Sequence, residues 1–289
     1  MKNGAQDIPK KLQIWLDRQA CGPVLIHSDL IGVMGLLGAP RAPTSDVLRA
    51  HMQVLEQICD GRLSYFPTFN YDFPRSKVYD LSTDPSQVGQ LSEHVRLSEG
   101  MWRSAVPIFN VSGRQPCQLR EARADIVEEI DPFGVGSIFE LLYQQNGAIL
   151  FYGAPFDAFT GVHFIERMSG GAAYRYDKIF SGLVRFPDGR TGDARLNYHV
   201  RPLGRTLRYD LGQIMPHILE VESGLRIIEK GVRIFALNFR PVVDLLLASL
   251  ARDPFIFLAA NNRIQWENEL MRLGRRVQLA DFEGEADGH

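Results

Sequence analysis

The sequence contains few cysteines, no long hydrophobic run and no surplus of basic residues. Cys21, Cys59 and Cys117 are widely spaced, which argues against a disulfide framework or a zinc site and favours a reducing compartment. No apolar run approaches the ~18–20 residues that a membrane helix needs. The chain has 32 basic and 34 acidic residues and a net charge of −2, whereas a general nucleic-acid binder has a basic surface. We expect a cytoplasmic protein without metal, membrane or nucleic-acid partners.

What is present fits a single globular enzyme. The 289 residues suffice for one large α/β domain with an ample core. The first residues contain no apolar signal core, so no export signal is expected. We find no internal repeat and no clean domain boundary. The polar tail from about Phe282 is expected to fray.

One segment, residues 153–166, combines a strand end with acid–base side chains. The apolar run GAILFYG predicts a buried strand ending at Gly153. Asp157, His163 and Glu166 follow it, and α/β enzymes place acid–base groups at such positions. The alternative is that His163 caps a helix and Glu166 is a solvated acid of its first turn.

Two earlier strands also end in polar residues. The strand Val24–Ile26 leads to His27, Ser28 and Asp29, and a second strand leads to Thr68, Asn70, Tyr71 and Asp72. Ligands collect at strand ends of α/β sheets, so these residues predict a site wall. Alternatively, Ser28 and Asp29 cap the next helix.

The second half of the chain has a different pattern. The glycine turn before Ser137 opens a helix, where an oxyanion or phosphate can bind. Residues 172–203 alternate apolar and polar positions around PDGR, which predicts an antiparallel hairpin. Residues 209–252 are predicted to be mainly helical, with a short strand near RIFALNF.

Six segments occur in an order and spacing that resemble the aminoglycoside 3-N-acetyltransferase-like enzymes. They are HSDL, FPTFNYDF, PSQVGQLSE, WRSAVP, DPFGVGS and TGVHFIE, between about Val24 and Glu166. The resemblance implies a three-layer αβα fold with a central mixed sheet, distinct from the GNAT fold. A C-terminal antiparallel β and helical portion is expected to complete it. It also implies an enzyme that transfers an acetyl group from acetyl-CoA to a primary amine.

The resemblance also implies roles for individual residues. His163 would be the general base of a Thr160, His163, Glu166 motif. Either Glu166 or Asp157 would orient it, or the base would work without an orienting acid. The coenzyme wall is expected to comprise His27, Ser28, Asp29, Thr68, Phe69 and Ser137. The oxyanion donors would come from the Gly134–Ser137 turn or the HSDL turn. Val106 stands where relatives carry a histidine, and LNYHVRPL lacks the carboxylate that many relatives place there.

The acceptor side is aromatic and basic, which favours an anionic amino sugar over a polycation. The predicted acceptor residues are Tyr71, Asp72, Tyr79, Tyr174, Tyr176 and Arg201, with Arg175 and Lys178 beside them. Tyrosines can stack on a base and arginines can neutralise a phosphate, although a half-exposed hairpin would have the same composition. The motif versions also resemble the surface-polysaccharide branch of the family.

Our main hypothesis is therefore N-acetylation of an amino sugar, nucleotide-linked, with acetyl-CoA as co-substrate and no metal. Acetylation of an aminoglycoside antibiotic is the first alternative, and an inactive binding or regulatory homologue is the second. One domain, 1–289, is expected. In it residues up to about 168 would form the coenzyme and catalytic core, and residues from about 169 the acceptor side. A homodimer is left open.

Overall fold

The structure is a computed structural model and describes residues 7–37 and 42–283. The predicted frayed end from residue 284 onward lies outside the described residues. In this part of the chain the helices are α1 (Asp7–Gln19), α2 (Met34–Leu37), α3 (Thr44–Cys59), α4 (Phe73–Ser76), α5 (Gln90–Leu97), α6 (Ile138–Gln144), α7 (Gly161–Met168), α8 (Met215–Glu220), α9 (Phe239–Leu250) and α10 (Ala260–Leu273).

The strands form two sheets. They are β1 (Val24–Ser28), β2 (Ser64–Pro67), β3 (Val78–Asp80), β4 (Trp102–Arg103), β5 (Val111–Gly113), β6 (Glu128–Ile130), β7 (Ala148–Tyr152), β8 (Tyr176–Arg185), β9 (Thr191–Val200), β10 (Gly224–Glu229) and β11 (Val232–Asn238). The larger sheet has the order β10-β11-β7-β1-β2-β5-β4, and the smaller has the order β3-β8-β9-β6. Both sheets contain parallel and antiparallel pairs.

Helices cover both faces of the larger sheet, because its central strands are apolar on both sides. Val24 and Ile26 pack with α1, α3 and α5 in one core. Leu25 and Phe151 point the other way and pack with α6, α7 and α9 in a second core. Neighbouring residues of a strand face opposite sides of the sheet. This arrangement confirms the predicted three-layer mixed α/β fold.

The central parallel strands determine where the predicted site lies. β1 pairs in parallel with both β2 and β7, so all three strands end at the same edge. His27 is in register with Phe151, one residue before the end of each strand. The loops carrying the predicted functional residues therefore converge at this edge.

Two glycines allow the loops after β1 and β7 to touch. Gly153 has φ +78°, and a Cβ atom there would lie 1.9 Å from the carbonyl oxygen of Asp29. At Gly32 a Cβ would lie 2.1 Å from the carbonyl oxygen of Gly153. Only glycine fits such backbone contact. The contact holds the loop before α7 against the turn after β1.

The predicted hairpin is present, and residues 209–252 contain one strand more than predicted. β11 is the strand predicted near RIFALNF. It forms a hairpin with β10 and pairs with β7. The turn of this hairpin has φ +50° at Lys230 and +75° at Gly231. The segment WRSAVPIFNVSG forms two short strands, β4 and β5.

Helix α5 begins at Gln90. The residues before it are held by the loop after β2. The Asn70 side chain donates to the carbonyl of Pro85 at 3.0 Å, and the amide of Gln87 donates to the carbonyl of Phe69 at 2.8 Å. These bonds attach residues 85–87 to that loop.

Membrane-spanning helices and metal clusters are both absent from the described residues. No helix within the described ranges is long and apolar enough to span a membrane. Over the same ranges, no three histidine, cysteine or acidic side chains are grouped so that they could hold a metal ion.

Candidate active site

His163 lies in the first turn of α7, at the edge where the central strands end. Its side chain is 18% exposed, and its ring is flanked edge-on by Phe133 and Tyr209, with centroids 5.1 and 5.8 Å away. Its Nδ1 lies 3.1 Å from Oε2 of Glu166. Since a carboxylate only accepts hydrogen bonds, Nδ1 carries the proton and Nε2 keeps its lone pair. No described residue bonds to Nε2, so this atom is free to accept a proton.

Glu166, one turn later, is 1% exposed and has four partners. Its Oε2 accepts from His163. Its Oε1 accepts from the hydroxyls of Tyr174 at 2.8 Å and Tyr209 at 2.6 Å. Nε of Arg175 lies 3.4 Å from Oε2. Burial by itself would raise the pKa of Glu166, but the charge of Arg175 and the hydrogen bonds from His163 and Tyr209 lower it to about 2. Glu166 is therefore ionised at neutral pH.

The same environment keeps His163 uncharged. Burial lowers its pKa below the usual value, and the positive charge of Arg175 lowers it further. The hydrogen bond and charge of Glu166 act in the opposite direction without overcoming these effects. A neutral imidazole with an available Nε2 is the form that a general base requires.

Asp157, the other acid considered from the sequence, does not orient His163. It lies in the 3-10 turn Phe156–Ala158, is exposed, and makes no described hydrogen bond to His163. Glu166 occupies that position because residues three apart lie on one face of a helix. The structure thus corrects the inclusion of Asp157 in the catalytic set.

His27 lies beside α7 as an uncharged neighbour. Its ring stacks on Phe151 with centroids 5.4 Å apart, and its Nε2 is 3.4 Å from Oγ1 of Thr160. Burial lowers the pKa of His27 to about 4. At neutral pH it therefore contributes hydrogen bonding and packing to this edge of the sheet, but no charge.

Ser28 and Asp29 have different environments. Asp29 caps the 3-10 turn Leu30–Val33, accepting from the amide of Ile31 at 3.1 Å, as the capping interpretation predicted. The hydroxyl oxygen of Ser28 is buried and has no hydrogen-bond partner among the described residues. A Cβ atom at Gly89 (φ +114°) would lie 3.4 Å from the carbonyl oxygen of Ser28. A buried hydroxyl without a partner is uncommon and is consistent with a ligand contact.

Two other predicted coenzyme-wall residues are turned into the core. Thr68 is fully buried, and its hydroxyl donates to Oδ1 of Asn110 at 2.8 Å. Phe69 packs edge-on against Phe109. Arg103 stabilises this region. Its guanidinium donates hydrogen bonds to Asn110, to the carbonyl of Thr68 and to two loop carbonyls. The side chains of Thr68 and Phe69 therefore support the end of the sheet from the protein interior. Neither is exposed to a coenzyme.

The glycine turn before α6 is also structural. Ser137 caps α6, accepting from the amide of Glu140 at 3.1 Å. The amides of Gly134, Gly136 and Ser137 all donate within the chain. In the HSDL turn the amides of Asp29, Ile31 and Gly32 are used in the same way. The roles of Ser137 as a coenzyme contact and of these turns as oxyanion donors stay predictions. Within the two turns, only the amides of Val135 and Leu30 have no hydrogen-bond partner among the described residues.

A cavity of about 520 Å³ opens next to the His163–Glu166 pair. It is lined by Tyr71, Pro74, Ile108, Phe109, Arg175, Phe180, Tyr198, Val200 and Arg201. It adjoins the pair because Arg175 contacts Glu166 and because the rings of Tyr198 and Phe133 lie 5.9 Å apart. We call it the acceptor cavity. Its lining has two arginines and no carboxylate.

Of the predicted acceptor residues, only Tyr71 and Arg201 line this cavity. Tyr79 is a core residue whose hydroxyl donates to the carbonyl of Ser104, and Tyr176 is buried against Glu283. Neither of these two tyrosines lines the cavity, and both hydroxyls have partners in the protein interior. Tyr174 bonds Glu166 and so belongs to the hydrogen-bond network around His163.

Asp72 adjoins the cavity but is already paired. Its Oδ1 accepts from Arg75 at 2.9 Å and its Oδ2 from Gln87 at 2.8 Å. Both oxygens thus brace the loop after β2. The prediction that Asp72 binds the acceptor has no support in this arrangement.

Sequence reasoning missed two residues of the network. Arg175 was assigned to the acceptor but is the buried counter-ion of Glu166, and Tyr209 was not considered. Tyr209 lies 43 residues after Glu166 along the chain. No local sequence pattern indicates a role for Tyr209. It lies next to α7 only because the chain folds back after β9.

Comparisons with known proteins agree with this architecture. A family model described as aminoglycoside 3-N-acetyltransferase matches residues 29–221, more than half of the chain. No curated protein sequence matches significantly.

Solved structures are similar over most of the chain. The apoenzyme of aminoglycoside acetyltransferase AAC(3)-IVa gives a TM-score of 0.60 at 18% identity, covering 87% of this chain and 91% of that chain. AAC-IIIb with CoASH gives 0.60 at 17% identity, covering 84% and 96%. YokD protein from Bacillus subtilis gives 0.56 at 16% identity, covering 86% and 99%. At these identities the likeness concerns the fold.

Proposed function

The chain belongs to the aminoglycoside 3-N-acetyltransferase family, and from this premise we propose that it transfers an acetyl group from acetyl-CoA to a primary amine of an amino sugar, with His163 as general base. One observation carries the proposal. His163 donates Nδ1–H to a buried, ionised Glu166, whose partner Arg175 lines the acceptor cavity, while Nε2 is free of described partners. This is the geometry of an oriented base awaiting a substrate proton.

The proton chemistry follows from the two side chains. An amine with a pKa near ~10 is mostly ammonium at neutral pH and cannot attack until a proton is removed. Nε2 of His163 takes that proton as the nitrogen–carbon bond forms, and the negative charge of Glu166 stabilises the resulting imidazolium. Acetyl-CoA, when bound, supplies the acetyl group as a thioester whose carbon–sulfur bond breaks.

Ser28 and the segment around Gly89 are our candidates for the coenzyme contact. AAC-IIIb, a structural neighbour, was solved with CoASH. In this chain the buried hydroxyl of Ser28 lacks a partner at the end of β1, where a ligand oxygen or amide would satisfy it. Asp29 is already engaged as a cap, so we assign it a supporting role in shaping the turn.

An aminoglycoside is the first candidate acceptor. The family is named for this activity, and one structural neighbour is a histidine-to-alanine variant of AAC(3)-IVa in complex with a gentamicin, with a TM-score of 0.62, 17% identity and coverage of 88% and 92%. An aminoglycoside carries several ammonium groups. In this chain its cationic rings would have to bind at acids near the cavity, of which Asp72 is the one adjoining its lining.

A nucleotide-linked amino sugar is the second candidate, favoured by the charge of the acceptor cavity. Arg201 is exposed, lines the cavity and has no ion-pair partner among the described residues. The lining contains no carboxylate, while the rings of Tyr71, Phe109 and Tyr198 offer stacking surfaces. An arginine suits a phosphate and aromatic rings suit a base. A polycation would meet two positive charges there.

The proposal also assigns the coenzyme site and the acceptor site to different parts of the chain, as the sequence predicted. We assign the donor side and the base to residues up to about 168. The acceptor cavity draws on both halves, since its lining includes Tyr71 and Phe109 from the first and Tyr198 and Arg201 from the second.

Thiol release from acetyl-CoA, measured with a panel of acceptors, tests the proposal. The panel contains aminoglycosides, UDP- and dTDP-linked amino sugars and the corresponding free amino sugars. Release above the buffer rate with any of them supports the enzyme. No release with any amine would favour the alternative of an inactive homologue, which Val106 at the position of a family histidine also suggests.

Reversing the charge at Arg201 separates the two acceptors. We expect Arg201→Glu to lower kcat/KM for a nucleotide-linked amine by roughly 10- to 100-fold, because a charge-assisted bond worth about 1.5–3 kcal/mol is replaced by repulsion. For an aminoglycoside we expect an unchanged or higher kcat/KM.

Arg205→Glu serves as the matched control, since this exposed arginine lies beyond β9 and does not line the cavity. If Arg201→Glu harms aminoglycoside turnover and leaves the nucleotide sugar unaffected, the charge argument is wrong.

A further inference from the structure

Tyr209 contacts Glu166, Arg175 and His163. Its hydroxyl donates to Oε1 of Glu166 at 2.6 Å and accepts from Nε of Arg175 at 2.8 Å. Its ring lies edge-on to His163, with centroids 5.8 Å apart. The hydroxyl of Tyr174 donates to the same Oε1 at 2.8 Å. One carboxylate oxygen is thus occupied by two phenols, and the other faces the histidine.

This arrangement keeps Arg175 from pairing fully with Glu166. Nε of Arg175 forms its short contact with the oxygen of Tyr209 and lies at 3.4 Å from Oε2 of Glu166. A guanidinium and a carboxylate in contact prefer a two-pronged pair. The terminal torsion of a glutamate is soft, so the carboxylate could rotate toward the arginine if the phenols did not hold Oε1.

We propose that Tyr209 and Tyr174 are positioning residues that hold Glu166 against His163 and away from Arg175, and thereby set the basicity of the catalytic histidine. This inference rests on the proposed role of His163 as general base. It concerns how the base is tuned, and it holds for either acceptor. The charged and titratable groups facing His163 are Glu166 from α7, Arg175 before β8 and His199 from β9.

The sign of the expected effect follows from these contacts. Glu166 is the one neighbour that raises the pKa of His163, while burial and Arg175 lower it. If Glu166 turns toward Arg175, His163 loses its support and becomes a weaker base. The acidic limb of the pH profile then moves to lower pH, and turnover on the plateau falls, because a weaker base removes the proton less readily.

Tyr209→Phe removes only the hydroxyl and tests the proposal. We expect kcat to fall by roughly 10- to 100-fold, as for a lost hydrogen bond to a charged group. KM for acetyl-CoA and calorimetric binding of coenzyme A should stay within about twofold, and the acidic limb of the kcat profile should move to lower pH. Tyr174→Phe should shift the limb in the same direction, and it carries the test if Tyr209→Phe fails to bind coenzyme A.

Tyr152→Phe is the matched control. Tyr152 is fully buried, as Tyr174 is, and its hydroxyl pairs with His51 in the other core, 2.8 Å away. It should lower stability without moving the pH limb. Wild-type kcat and an unmoved limb in both Tyr174→Phe and Tyr209→Phe would overturn the inference. Wild-type turnover in His163→Ala would instead defeat the proposed base, so the two failures are distinguishable.

Discussion

Replacing His163 by alanine is expected to lower kcat by roughly 10²–10⁴, the usual contribution of a general base, while coenzyme A still binds. The reason is geometric. Nε2 of His163 is the free nitrogen of a neutral imidazole held by Glu166, whereas the other two nearby histidines are engaged. In the unaltered enzyme, the acidic limb of kcat/KM for the acceptor should lie below the ordinary histidine pKa of about 6.5, because burial and Arg175 lower the pKa of His163.

His199→Ala is the informative partner of this variant. Nδ1 of His199 bonds to Asp177 at 2.9 Å, and its Nε2 lies 3.3 Å from the carbonyl of Ala172. With both nitrogens in use, His199 has no site for a substrate proton, and its removal should change kcat much less. Should His199→Ala abolish turnover while His163→Ala retains it, the base would have to be reassigned.

Replacing Glu166 by glutamine is expected to damage both activity and stability. The substitution leaves the buried guanidinium of Arg175 without its counter-ion, and breaking such a buried pair costs about 3–5 kcal/mol. It also removes the charge that stabilises the imidazolium of His163. We expect kcat to fall by at least about 10²-fold, and denaturant unfolding to shift to clearly lower concentrations.

The pH dependence of stability gives a second measurement on the same variant. The folded pKa of Glu166 is about 2, below the unfolded value of about 4.3. Its contribution to the free energy of unfolding is therefore fully present above about pH 4.3 and is lost as the pH falls towards 2. Glu166→Gln should show a smaller loss of stability across that interval than the unaltered protein.

Asp157→Asn is the control for both measurements. Because Asp157 is exposed and makes no described contact with His163, its change should leave turnover and stability nearly unaltered. A large loss of turnover in Asp157→Asn, together with a mild effect in Glu166→Gln, would contradict the assignment of Glu166 as the orienting acid.

The sequence predicted the parts of the site that lie on one strand and the turn after it. GAILFYG predicted a buried strand with His163 shortly after its end, but both Glu166 and Asp157 remained candidates for the acid beside it. The structure places His163 in the first turn of α7, where helical spacing brings Glu166 next to it. The fold and family also followed from six ordered segments, because their order and spacing are preserved along the chain.

What could not be predicted depends on contacts between distant segments. Whether a polar side chain at a strand end faces a ligand or the interior depends on its hydrogen-bond partners. The hydroxyls of Thr68 and Tyr79 have their partners in the protein interior. Tyr209 reaches Glu166 only through tertiary packing. Strand β11 was predicted but its hairpin partner β10 was not, because a two-residue turn at Lys230 and Gly231 is a short signal inside a region with mostly helical spacing.

The position of β11 has a consequence for synthesis on the ribosome. Strand β7 is fully buried and apolar, yet its neighbour β11 begins 84 positions later, at residue 232 rather than 148. At a synthesis rate of about 5–20 residues per second, one edge of β7 stays unpaired for roughly 4–17 s. During this interval an apolar strand edge is open to other chains. Nascent chains should therefore be most dependent on chaperones between these two points of translation.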